Sequence, residues 1–86
     1  MPEICRFYGI VIKMFWNDHD PPHFHAEYGQ HIAILDIRTL AVIDGQLPAR
    51  ALGLTVEWAS ARQPDLLRLW SKARALEPME RLEPLD

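Results

Sequence analysis

Between Phe7 and Asn17 the chain is dominated by aromatic and β-branched residues, which suits a strand. Alternation puts Ile10, Ile12, Met14 and Trp16 on one face, the better candidate for the core. Gly9, Val11, Lys13 and Phe15 fall on the other. Asn17-Asp18-His19-Asp20-Pro21-Pro22 breaks this strand, because proline cannot donate to a ladder and Asn and Asp favour local turns. A second strand is expected over His23–Tyr28, followed by a turn at Gly29-Gln30. A third runs from about Ile32 to Ile37 and a fourth from Ala41 to about Gln46. The connections are short, which favours an antiparallel meander over parallel crossovers.

The second half changes period. Pro48 suits a first helical turn. Leu52, Val56 and Ala59 then make one stripe, with Leu54, Trp58 and Ala61 beside it. Gly53 weakens this helix by about 1 kcal/mol relative to alanine. Pro64 closes it and opens a second helix, whose stripe is Leu66, Leu69, Trp70, Ala73 and Leu76. Asp65 favours its amino end, and Lys72 and Arg74 its carboxyl end. After Glu77-Pro78 an extended tail offers Met79, Leu82 and Leu85 for docking. The pattern therefore predicts an α+β fold: an antiparallel four-stranded meander followed by two helices packed on one face of the sheet. Strands occupy about 7–47, helices about 48–77 and the tail 78–86, in one domain spanning 1–86.

Composition narrows the class. At 86 residues and 49% hydrophobic, the chain has the makeup of one small globular domain. Cys5 is the only cysteine, so no disulfide can form within the chain. Met1–Arg6 lacks the basic head and apolar run of a signal peptide, and no apolar stretch reaches membrane-spanning length. A cytoplasmic location is expected, with no membrane contact. A net charge of −3 argues against strong nonspecific nucleic-acid binding, which needs a basic surface. The small size leaves room for a homodimer.

Chemistry concentrates in one stretch. All four histidines, His19, His23, His25 and His31, lie within the Asp18–His31 window, with Asp20 and Glu27 among them. In a strand, His23, His25 and Glu27 share a face. A two-residue turn at Gly29-Gln30 would put Tyr28 opposite His31 and His23 opposite Asp36, where Asp36 could orient an imidazole. A three-residue loop would shift the register and lose that pair.

Three readings fit this stretch. One is a divalent metal site: His23 and His25 as ligands, completed by His19, Glu27 or Asp36, with zinc or another transition ion as cofactor. The second is metal-free acid–base chemistry by His23 and His25 on a ribose hydroxyl, with Arg6, Lys13 or Arg38 stabilising phosphate charge. In the third, the aspartates and prolines shape a turn and the histidines make ordinary hydrogen bonds.

The chain also resembles a known family. Glu3-Ile4, Arg6-Phe7-Tyr8-Gly9-Ile10-Val11-Ile12, Asn17-Asp18-His19, Pro21-Pro22-His23-Phe24-His25-Ala26, Leu47-Pro48, Glu57-Trp58-Ala59 and Glu83-Pro84-Leu85 are similar to the small bacterial domain-of-unknown-function family 4160. The resemblance implies a bacterial protein, often encoded beside a second small protein. Some members carry the DhiT-type label of toxin in a type II toxin–antitoxin pair. It therefore implies a toxin-like component acting on or through RNA or the translation apparatus, with a cognate antitoxin-like partner; the clustered imidazoles add the expectation that His23 and His25 are central. The alternative is a noncatalytic metal-binding or protein-interaction module on the same hairpin. The resemblance assigns no catalytic residue. Where the family pattern has His-Arg before acidic-Leu-Leu, this chain has Arg62-Gln63-Pro64-Asp65-Leu66-Leu67. Whether the protein is an enzyme is left open by the sequence.

Overall fold

The computed structural model describes residues 3–86. Five strands form one antiparallel meander in chain order: β1 (Glu3–Phe7), β2 (Ile10–Lys13), β3 (His23–Tyr28), β4 (His31–Asp36) and β5 (Val42–Gly45). Two helices follow, α1 (Ala49–Ser60) and α2 (Gln63–Arg74). The class is α+β as the pattern predicts, but the sheet has five strands rather than four.

The extra strand comes from a turn inside the segment expected to be continuous. Tyr8 and Gly9 both adopt positive φ, 48° and 80°, and link β1 to β2 as a two-residue hairpin. The apolar alternation runs through this turn, so periodicity alone hides it. The same segment ends at Lys13 rather than Asn17. Trp16 therefore leaves the core face on which Ile10, Ile12 and Met14 are buried. It stands 45% exposed, and its indole donates to the Glu77 carbonyl at 2.9 Å.

At Gly29-Gln30 the loop has two residues. Tyr28 pairs with His31 and His23 with Asp36, the register expected for that loop length. Directly paired residues share a face, so Ile12, Ala26 and Ala33 form one buried row, and Phe24 lies beside Leu35 in another. Both helices cover this face. Trp58 of α1 is fully buried between Phe7 and Phe24, with ring centroids 5.4 and 6.1 Å away. Leu66, Leu69 and Ala73 of α2 complete the core. On α1 the buried stripe is centred on Ala51, Thr55, Trp58 and Ala59, while Leu52 and Val56 are half-buried at its flank.

On α2 the expected stripe holds from Leu66 to Ala73, and the helix ends at Arg74. Leu76, past that end at φ 60°, is exposed instead of continuing the stripe. The tail crosses back to β1. The Leu82 amide donates to the Ile4 carbonyl at 2.8 Å, the Trp58 indole donates to the Glu83 carbonyl at 2.8 Å, and Arg81 pairs with Glu3 at 2.9 Å. Met79, Leu82 and Leu85 pack against the core. Among the described residues no helix is long and apolar enough to cross a membrane.

Candidate metal centre

The loop from Met14 to Pro22, between β2 and β3, folds back over the start of β3. Asn17, at φ 57°, turns the chain, and its amide donates to the Ala73 carbonyl of α2 at 3.1 Å. The Ile37 amide holds the other end by donating to the Pro22 carbonyl at 3.0 Å. Asp18 sits between these anchors. Its Oδ1 accepts the His19 amide at 2.8 Å, which leaves Oδ2 directed at the histidines of β3.

His23 is largely buried, 5.0 Å from the Trp70 ring between centroids. Its Nδ1 lies 2.7 Å from the Pro21 carbonyl oxygen, and its Nε2 lies 2.9 Å from Asp18 Oδ2. A carbonyl only accepts, so Nδ1 must carry the hydrogen. Nε2 of a neutral ring then turns a lone pair toward a carboxylate oxygen. A positive species has to lie between them: a proton on Nε2, or a metal ion in its place.

His25 distinguishes these two cases. Its ring packs edge-on against Phe15 at 4.7 Å, and its Nε2 lies 3.7 Å from the same Asp18 Oδ2. That nitrogen is buried and has no hydrogen-bond partner among the described residues. An orphaned buried nitrogen costs about 1–3 kcal/mol. A proton on His23 leaves it orphaned, whereas an ion bound to all three donors satisfies it. Donor atoms of Asp18, His23 and His25 all lie within 4.8 Å of one another. Tetrahedral zinc with bonds of about 2.0–2.1 Å separates its donors by about 3.3 Å. The 2.9 and 3.7 Å separations bracket that value.

Electrostatics suit the same arrangement. Burial holds the His25 imidazole below its ordinary range, and the neighbouring His23 adds to this against the opposing charge of Asp18. Burial raises the Asp18 carboxyl, but the His19 amide and the His23 ring outweigh it and leave the group below its ordinary value. A neutral imidazole and an ionised carboxylate are the forms that coordinate metal. The Nδ1–H bond to Pro21 fixes the His23 tautomer so that Nε2 is the atom free to ligate an ion.

Residues singled out in the sequence divide on this geometry. His23 and His25 meet, with ring centroids 5.4 Å apart. Asp36 is opposite His23 in register but does not orient it: its Oδ1 accepts the Arg38 and Thr39 amides at 2.7 and 3.0 Å, closing the turn after β4. Asp18 takes the orienting position instead. Glu27 does share the face of His25, yet it pairs with Lys13 at 3.0 Å and is not in the donor group. His19 lies outside the donor group, and its backbone amide serves to hold Asp18. His31 is at the far end of the β3–β4 hairpin. Arg6 pairs with Glu3, and the Arg38 carbonyl accepts from Gln63.

Asp18 is the donor that strand periodicity misses. It precedes the strand by a turn containing two prolines, and only the folded loop brings it over His23.

Residues 9–71 match the model of the domain-of-unknown-function family DUF4160. The chain belongs to that family. The matched DUF4160 span contains Asp18, His23, His25 and Trp70, whereas β1 and the docked tail lie outside it. No curated protein and no solved structure matches the chain.

Proposed function

We propose that this DUF4160 chain is a small metal-binding domain whose centre is Asp18, His23 and His25. The ion is a divalent first-row transition metal, and zinc suits the two-imidazole, one-carboxylate donor set. One observation carries the reading: the buried, unpartnered Nε2 of His25 faces the same carboxylate oxygen that a tautomer-fixed His23 already addresses. Acid–base attack on a ribose is less well served, because both imidazole Nε2 atoms converge on Asp18 inside the loop rather than on an open surface. A toxin-like role with an antitoxin-like partner and an RNA or translation target is a proposal that rests on the family resemblance alone.

Metal loading should raise the thermal midpoint of chelator-stripped protein, because an ion that binds only the folded state stabilises it by about 2.7 kcal/mol at 100 times its Kd. His25→Ala and Asp18→Asn should each remove that response while remaining folded by circular dichroism. An equal zinc-induced rise in wild type and both variants would reject this centre.

A further inference from the structure

At the end of β3 away from His23, the sheet and the first turns of α1 leave a cavity of about 240 Å³. Buried Ile10 and Ala51 and half-buried Leu54 line it on the inside. Tyr8, Tyr28 and Arg50 line it toward solvent. Tyr28 is separated from His23 by the length of β3, roughly 16 Å. The cavity shares no residue with the metal centre. Tyr8 and Tyr28 are 56% and 39% exposed, and apolar surface that rims a concavity marks binding sites more often than scattered exposed residues do. The β1–β2 hairpin positions both rings. Tyr8 belongs to its turn, at φ 48°, and a Cβ added at Gly9 would stand 3.4 Å from Tyr28 Cε1, so that ring lies close against the turn.

Arg50 gives the sign of the ligand. Arg6, Arg68, Arg74 and Arg81 all pair with carboxylates, whereas Arg50 enters no ion pair among the described residues. No acidic side chain lines the cavity. The first turn of α1 carries neither an acidic residue nor a side-chain cap, so the positive end of the helix adds to the Arg50 charge. Volume limits the ligand's size. Pockets that enclose drug-sized molecules measure roughly 300–1,000 Å³, so this smaller one suits a single ring with a short anionic arm.

We propose that the cavity between Tyr8, Tyr28 and Arg50 binds a small aromatic anion, its ring against the two tyrosines and Leu54 and its carboxylate or phosphate on the Arg50 guanidinium. Offset or edge-on packing of aromatic rings and a charge-assisted, bidentate hydrogen bond supply the two halves of that recognition. The proposal goes beyond the metal-binding reading and does not depend on it.

Nitrogen-15 NMR of the full chain tests this with four probes: 3-phenylpropionate, phenyl phosphate, the neutral 3-phenylpropanamide and the cationic phenethylamine. The expected result is a saturable shift of the Gly9 and Ala51 amides with at least one of the two anions, and binding about ten-fold or more weaker for the amide and the amine. The tighter of the two anions identifies carboxylate or phosphate as the preferred head group. Arg50→Gln should remove the advantage of the anion over the amide and leave the fold intact, since Arg50 is exposed and unpaired. Tyr8→Ala should weaken anion and amide by the same factor, because it removes ring contact and no charge. Absence of saturable shifts at Gly9 and Ala51 with both anions would overturn the proposal. Equal affinity for anion and amide, or an anion affinity unchanged in Arg50→Gln, would overturn it as well. None of these outcomes bears on zinc binding by Asp18, His23 and His25.

Discussion

His25 carries the sharpest consequence of a single residue's surroundings. Its folded pKa lies below the ordinary value of 6.5, so below that pH the unfolded state binds protons more readily than the folded one. The stability this contributes is complete above the unfolded value and is lost as pH falls through the folded one. Urea midpoints of metal-free protein should therefore fall between pH 7.5 and 5.5, and His25→Gln should flatten that decline. Two glycines make an independent pair of tests. Gly45 has φ 72°, and an added Cβ would stand 2.0 Å from the Ile32 carbonyl oxygen, so Gly45→Ala should cost about 2–3 kcal/mol in chemical denaturation. At Gly53, in the middle of α1, a Cβ meets nothing within 4 Å. Gly53→Ala should therefore stabilise by about 0.5–1 kcal/mol.

Among the elements, the tail shows how acidic groups hold a segment without regular structure. Glu3, between Arg6 and Arg81, and Glu80, between Arg68 and Lys72, both have their carboxyls lowered to about 2 by these partners. What they contribute to docking is complete above the usual carboxylate range and is lost only as pH falls toward 2. Carbon-13 NMR should find both carboxyls titrating well below the ordinary glutamate value of 4.5, and a midpoint near 4.5 would contradict the docked tail. Removing residues 79–86 should cost about 2 kcal/mol by denaturant titration. Half-buried apolar contacts, the Leu82 amide donor and the Glu83 carbonyl acceptor are lost, partly offset by the entropy of the freed chain. Sequence periodicity identifies β3, both helices and the register of the Gly29-Gln30 hairpin, because each depends on local spacing and turn length. It misses the Tyr8-Gly9 turn, since the alternation of apolar residues continues across it. For the centre, it pairs His23 with His25 through strand alternation but selects Glu27 and His19 rather than Asp18. The position of Asp18 is set by the Asn17–Ala73 and Ile37–Pro22 hydrogen bonds, which connect residues far apart in the chain.

At the scale of the whole molecule, a chain of 86 residues has a small core and gains proportionally from any added crosslink. An ion bound by Asp18, His23 and His25 would join the loop to β3, while the Asn17–Ala73 bond and the His23–Trp70 contact connect both to α2. Metal would then protect this corner of the fold, and hydrogen exchange of the His23 and His25 amides should slow on zinc addition while β5, at the other edge of the sheet, changes little. The most direct measurement is isothermal titration of zinc into chelator-stripped protein at neutral pH. Binding should saturate at a single ion per chain with a micromolar or tighter Kd and be abolished in His25→Ala. Absence of saturable heat, or unaltered binding in that variant, would contradict the metal centre.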